Sequence, residues 1–312
     1  MLFRSRPARA YGILTLLTVM AMGLALSIGE LPWQETHFET LWSLRGGRAL
    51  LALGVGGCLA VAGVLLQALF ANPLCEPYTL GVSSGAALGA VLTGALGWSG
   101  LLEGIAIGPL FGALLFTVPL LFGPQGNRLL LMGVLISFFG SSLVALTLAL
   151  SDVRGVSQAL VWLLGDLSRA TPSGAITAIL FGLIIMLWVR RRHAELDILL
   201  LGEKQARSVG VPIRSLRREI LITSSLLVAV GVAFCGMVGF VGLVIPHAIR
   251  KWQGSAHNNV LPMAWLLGGL SLVLADCVGR GFFSPIEIPI GVVTALMGVP
   301  LYAIWSLRSP HA

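Results

Sequence analysis

The sequence predicts an all-α, polytopic membrane protein of about ten transmembrane helices, and three observations carry that prediction. Hydrophobic residues make up 56% of 312, charged residues only 11%, and the mean hydropathy is +0.93. One soluble core cannot hide that much apolar surface, so the solvent is a bilayer. Apolar runs of bilayer length, roughly 17 to 25 residues, recur along the whole chain. The basic residues then fall on alternate loops, as they do when the positive side faces the cytoplasm.

The runs cover about 11–29, 49–70, 79–97, 104–122, 129–150, 171–189, 219–236, 260–279 and 287–307. The first follows RSRPAR and contains a faint cleavage pattern, Ala25-Leu26-Ser27, but it is longer than a signal-peptide core and is read as a retained span. The second is bracketed by Arg45 and Arg48 at one end and by Gln67 and Asn72-Pro73 at the other. A plain lipid anchor needs none of these. The third opens on Gly81-Val82-Ser83-Ser84-Gly85, and its Gly81, Gly85 and Gly89 repeat at four-residue spacing. With Gly54, Gly56, Gly57 and Gly63 in the second run, they predict helices in close backbone contact, because small residues drive packing in lipid. A tenth segment, about 238–250, is short and holds Pro246, so it reads as a span, a half-helix or a re-entrant piece.

Charge decides its status. With ten spans and both termini inside, fifteen of the twenty basic residues lie on inside loops, and only Arg45, Arg48, Arg154, Arg169 and Arg280 lie outside. Those five share the outer face with Glu30, Glu35, Glu39, Glu103, Asp152, Asp166, Asp276 and Glu287. Nine spans would move Arg250 and Lys251 outside, which the positive-inside rule disfavours. The basic balance therefore reports orientation and does not imply a nucleic-acid partner. Short loops throughout predict one compact bundle over residues 1–312.

The long polar interruption, Arg190 to Glu219, predicts a small amphipathic hairpin over about 191–218, with Gly202 and Gly210 punctuating two short helices. It reads either as a surface element lying on anionic lipid or, given its mixed charge, as a dock for a protein. The Asn72-Pro73 turn and Ser83-Ser84 could line a cavity or hold an anion at a helix start, or simply cap that helix. Arg45, Arg48 and Arg280 read as lipid snorkels or as a shared anion-catching set, if the second and ninth spans are neighbours. His247, beside Pro246, reads as a helix-end hydrogen-bonding group. Cys58, Cys75, Cys235 and Cys277 show no CxxC pairing and read as small buried hydrophobes. Asp276 is the main carboxylate available for ion coupling within the spans. The chain lacks GxxxxGK[ST] and HExxH motifs, and Gly81-Val82-Ser83-Ser84-Gly85 fits GxSxG by spacing only, at the start of an apolar span, which leaves the chain without an energy source of its own.

Six blocks in one order carry a resemblance: LRGGRALLALGVGGCLAVAGVLLQALFANPLCEPYTLGVSSGAALGA (44–90), VWLLGDLS (161–168), LDILLLGEKQARSVGV (196–211), GFVGLVIPHAIR (239–250), LADCVGR (274–280) and EIPIGVVTALMGVP (287–300). The chain resembles the FecCD-type permease subunits of type II ABC importers, which carry vitamin B12, iron-siderophores and haem. Gly47 stands where that family usually has proline, and Cys75 where alanine is common.

The resemblance implies a type II ABC importer permease bundle of ten helices in the bacterial inner membrane, paired with a second permease copy. It implies no covalent chemistry here and no bound cofactor, with ATP and magnesium held by two copies of a cytoplasmic ATP-binding subunit. Leu201, Gly202, Glu203, Ala206, Val209 and Gly210 are then the ATPase-coupling residues, and Arg45, Arg48 and Arg280 dock a periplasmic substrate-binding protein. Gln67, Asn72, Pro73, Gly81, Ser83, Ser84 and Gly85 lie along the translocation path or its gate. The implied cargo is a metal chelate, an iron-siderophore foremost, with cobalamin or haem as alternatives. An ion-coupled secondary transporter and a purely structural scaffold are the readings from other classes.

Overall fold

A computed structural model describes residues 7–28, 42–95, 107–123, 127–151, 153–282 and 287–307. Several residues of the charge argument, among them Arg4, Arg6, Glu30, Glu35, Glu39, Glu103, Asp152 and Arg308, lie outside the described residues. The rest is helical, with no strand among the described residues.

Thirteen α-helices follow in order: α1 (Pro7–Ser27), α2 (Gly47–Phe70), α3 (Val82–Ala95), α4 (Ile107–Phe122), α5 (Asn127–Ala149), α6 (Val153–Leu163) and α7 (Pro172–Arg190), then α8 (His193–Leu199), α9 (Glu203–Ser208), α10 (Ile213–Cys235), α11 (Val241–Gln253), α12 (His257–Gly281) and α13 (Ile290–Leu307). Among the described residues, six segments are long and apolar enough to cross a membrane: α1, α5, α7, α10, α12 and the stretch Leu44–Phe70 that contains α2. Helices α3, α4 and α13 are shorter apolar helices, and α11, with thirteen residues or about 20 Å at 1.5 Å per residue, is too short to cross a bilayer unaided, which keeps the half-helix and re-entrant readings of that segment.

Several boundaries move from their expected places. The third run starts three residues late, because Pro77–Leu80 forms a 3-10 turn and Gly81 takes φ +78, a conformation that favours glycine. The helix of the seventh predicted run, α10, starts at Ile213 rather than 219, so the end of the predicted hairpin is already its first turn. Helix α6 was not among the predicted runs, because its apolar residues Val153, Val156, Leu160 and Leu163 recur at helical spacing over a segment too short to span.

Burial sorts the bundle into two tiers. In the α2 segment 89% of the spanning window is buried, against 22% in α5, so α2 is the axis around which the others pack. Glycines set those contacts: Gly56 of α2 lies against Gly268 of α12, and Gly63 of α2 against Gly242 of α11. A β-carbon at Gly56, Gly63 or Gly268 would run into the facing backbone, and one at Gly242 into the Pro77 ring, which fixes the close approach expected of small residues in lipid. Gly85 and Gly89 of α3 meet Gly112 and Gly108 of α4 in the same way, as their spacing predicted. Thr117 Oγ1 donates to Ser225 Oγ at 2.7 Å between α4 and α10, and such bonds average only about 0.6 kcal/mol in membranes. Packing therefore dominates. All four cysteines are free and buried, as read from their scatter.

Candidate functional site

The residues singled out in the sequence converge on two ends of the bundle. At one end α2 and α12 are neighbours, and Asp276 sits between two arginines. Arg48 Nε donates to Asp276 Oδ1 at 2.8 Å, while Arg280 Nε lies 3.0 Å from Asp276 Oδ2 as a charge contact without hydrogen-bond alignment. Arg48 also donates to Glu287 at 2.9 Å. The other guanidinium groups close the end of α1: Arg45 donates to Leu26 O at 3.1 Å, and Arg280 to Ala25 O and Ile28 O at 3.1 and 3.0 Å. Cations at a helix C-terminus satisfy its free carbonyls and its dipole. Asp276 and Arg280 are both buried, with side chains 1% and 6% exposed, so this cluster is a dry charge network. The three arginines form one set, and Asp276 is the carboxylate at its centre.

At the other end the hairpin forms as two short helices, with Gly202 at φ +108 and Gly210 at φ +89 marking the bends. Leu196, Leu199 and Ala206 are buried in the same core as α2 and α12, so the apolar face of the hairpin packs on the bundle rather than on lipid. Ala206 is wholly buried, whereas Leu201 and Val209 are each 69% exposed. Glu203 accepts from Arg207 at 2.7 Å on the surface. The outward tip is thus two apolar side chains rimmed by Lys204, Arg207 and Ser208.

The hairpin is also tied sideways. Asp197 Oδ1 accepts from the backbone N–H of His257 at 2.8 Å and pairs with its ring Nδ1 at 2.7 Å, at the first residue of α12. Burial alone would raise the Asp197 carboxyl, but the hydrogen bonds and charge of His257 hold it below the usual carboxylate range. Arg190 donates to Asn258 Oδ1 at 2.9 Å, and Tyr11 of α1 to Asn259 O at 3.3 Å. A second network joins Trp188, Arg192, Glu195 and Glu219, in which the Glu195 hydrogen bond and the nearby carboxylates raise Arg192.

Four of the seven expected path residues, Gln67, Gly81, Ser83 and Gly85, are buried inside the subunit. Gln67 is 1% exposed; its amide nitrogen donates to Gly242 O and Leu243 O, and its oxygen accepts from Arg250. Asn72 closes its own turn by accepting from Leu74 N–H at 2.9 Å, and Pro73 is exposed beside it. The segment then folds back into the bundle: Cys75, Pro77, Leu80, Gly81, Ser83 and Gly85 are all buried. Ser84 donates to Gly81 O at 2.9 Å instead of accepting a helix-start N–H, and Ser83 Oγ has no partner among the described residues. His247 rests against the rings of Tyr302 and Trp305 in place of the helix-end hydrogen bond expected of it.

Sequence reasoning missed Asp197, His257, Glu76 and Tyr78. Glu76 accepts from Phe240 N–H and Tyr78 Oη from Val238 N–H, which latches the segment after α2 onto the start of α11. Each of these pairs is separated by sixty residues or more, and no local spacing announces them.

Known proteins agree with this arrangement. The chain is 36% identical over 315 residues to the vitamin B12 import system permease protein BtuC of Citrobacter koseri, covering 97% of this chain and 94% of that one. The corresponding protein of Klebsiella pneumoniae is 36% identical over 308 residues, 95% and 92% of the two chains. A solved structure described as an inward-facing conformation and assigned to the metal-chelate type of ABC transporter superposes with a TM-score of 0.87 at 33% identity, over 97% of this chain and all of that one. PsaBC from Streptococcus pneumoniae shares the fold at a TM-score of 0.61 and 21% identity, over 89% and 94% of the two chains. The model of the FecCD transport family matches residues 11–308, and the chain belongs to that family as a multi-pass ABC importer permease.

Proposed function

We propose that this permease carries a metal chelate across the bacterial inner membrane, from a periplasmic delivery protein to the cytoplasm, driven by ATP hydrolysis in a partner. The observation that carries the cargo class is the match along nearly the whole chain to vitamin B12 permeases at 36% identity. Cobalamin, a cobalt chelate, therefore stands first. The iron-siderophore, put foremost only by its frequency in the family, and haem stand behind it as cargoes handled by the same mechanism.

The two ends supply the contacts such a machine needs. Leu201 and Val209 present an apolar tip for the ATPase, with Gly202 and Gly210 setting its bends and Glu203 and Arg207 on its rim. Ala206 serves from inside, by holding the hairpin on the bundle. The arginine end engages acidic residues of the delivery protein through Arg48, the most exposed of the three, while Arg45 and Arg280 are buried and serve from inside by holding the end of α1. Two copies of the permease enclose the path, with the 72–85 segment as its gate and Gln67 as the tie that holds α11 against α2. ATP binding moves the hairpins, and the path opens to one side at a time. Both termini are cytoplasmic in this reading.

Ion-coupled transport is disfavoured by Asp276, the carboxylate best placed for it, because two guanidinium groups already occupy it. The test is ATPase activity of the assembled complex with delivery protein loaded with cyanocobalamin, haemin or a ferric siderophore. Stimulation by cyanocobalamin is expected. Stimulation by an iron chelate alone would move the cargo, and chelate uptake driven by an ion gradient without ATP would overturn the mechanism.

A further inference from the structure

Helix α12 runs unbroken from His257 to Gly281, and both of its ends are pinned by charge. Its first residue is gripped by Asp197 of the hairpin, and its last turns carry Asp276 and Arg280 of the arginine cluster. His257 and Asp276 are about 28 Å apart along the axis, at 1.5 Å per residue. The same helix packs against α2 through Gly268 and against α1 at both ends, through Tyr11 with Asn259 and Arg280 with Ala25 and Ile28.

From this geometry we infer that α12 is the rod that couples the two ends, and that Asp197 is the positioning residue joining the hairpin to it. The inference rests on reading the hairpin as the ATPase dock and the arginine cluster as the delivery-protein dock. One carboxylate oxygen of Asp197 takes both the backbone N–H and the ring Nδ1 of His257, so the hairpin holds the axis and the side chain of α12 at a single point. With Nδ1 so engaged, ring Nε2 is buried with no partner among the described residues. A buried unpaired group is costly to keep. The ring is thus packed for a fixed position, in a wholly buried side chain, which suits a joint that transmits displacement. The first turn has a second hold in Arg190 on Asn258. Pro262 removes one helical rung just beyond these contacts, so the grip on the first turn is what fixes the helix start.

The test uses the complete complex with ATPase and delivery protein. Asp197→Ala should still co-purify with the ATPase and keep basal hydrolysis, while stimulation by loaded delivery protein falls at least about tenfold, equivalent to about 1.4 kcal/mol of coupling. A disulfide formed by Asp197→Cys with His257→Cys, in a background lacking the four native cysteines, should restore stimulation when oxidised and lose it when reduced. Full stimulation in Asp197→Ala, or an oxidised disulfide that stays uncoupled, would overturn the rod. Loss of the ATPase from Asp197→Ala would also overturn it, by placing Asp197 in the dock itself. The docking reading fails separately, if Leu201→Asp with Val209→Asp still co-purifies the ATPase.

Discussion

The two ends of α12 solve the same problem in opposite solvents. At the arginine end one carboxylate, 1% exposed, balances Arg48 and Arg280 in a dry cluster. At the hairpin end one carboxylate, 37% exposed, holds a buried ring and a backbone N–H. A buried charge network is costly to break, because removing one member strands the others without water, whereas a partly wet contact exchanges protein for solvent at modest cost. The first end is the more costly to break, and the second is the lighter hold.

Substitutions should grade accordingly. Asp276→Asn should produce the largest loss of stability, on the order of 3–5 kcal/mol, because Arg280 would keep only carbonyl partners in a buried site. Asp276→Met combined with Arg280→Met should recover much of that loss, read as thermal midpoints in detergent. A double variant no better than the single would show that the cost is packing and not stranded charge.

Asp197→Ala is expected to cost less, about 1.5 kcal/mol, the low end for hydrogen bonds to a charged group, since that carboxylate is partly hydrated. Equal losses at Asp197 and Asp276 would erase the contrast between the ends. Their pH responses sharpen it further. Asp197 titrates below its unfolded value, so its contribution is present above about pH 4 and is lost as pH falls through the lower folded value. The difference in thermal midpoint between wild type and Asp197→Asn should hold from pH 8 to pH 5 and close only below about pH 4. Closure near pH 6 would put the titrating group elsewhere. The smallest effect belongs to Glu203→Gln. Its pair with Arg207 is an exposed i,i+4 contact worth about 0.3–0.5 kcal/mol, and added salt should remove the difference.

What could be read from the sequence follows the same division. Spans, glycine contacts and the two bends of the hairpin depend on local period and on residue size, so Gly56, Gly85, Gly202 and Gly210 announced their roles. The arginine set was visible because three cations on an acidic face ask for an explanation. Asp276 was visible only as a charge in lipid, and its role as their shared partner required α2 and α12 to be neighbours. Asp197 and His257 gave no signal, since a carboxylate among the mixed charges of an amphipathic hairpin looks like any solvated one. Ala206 misled in the opposite way: its place in the motif suggested contact with a partner, and helical phase turned it inward while Leu201 and Val209 faced out.

The central claim is that this permease passes a chelate inward on ATP hydrolysed by a protein docked at the hairpin tip. Uptake of labelled cyanocobalamin into proteoliposomes holding the permease and its ATPase, with delivery protein outside and ATP enclosed, tests it most directly. The account predicts accumulation that requires ATP and that falls at least about tenfold, some 1.4 kcal/mol, in Leu201→Asp with Val209→Asp. Accumulation that persists without ATP, or that survives the loss of both tip residues, would contradict it.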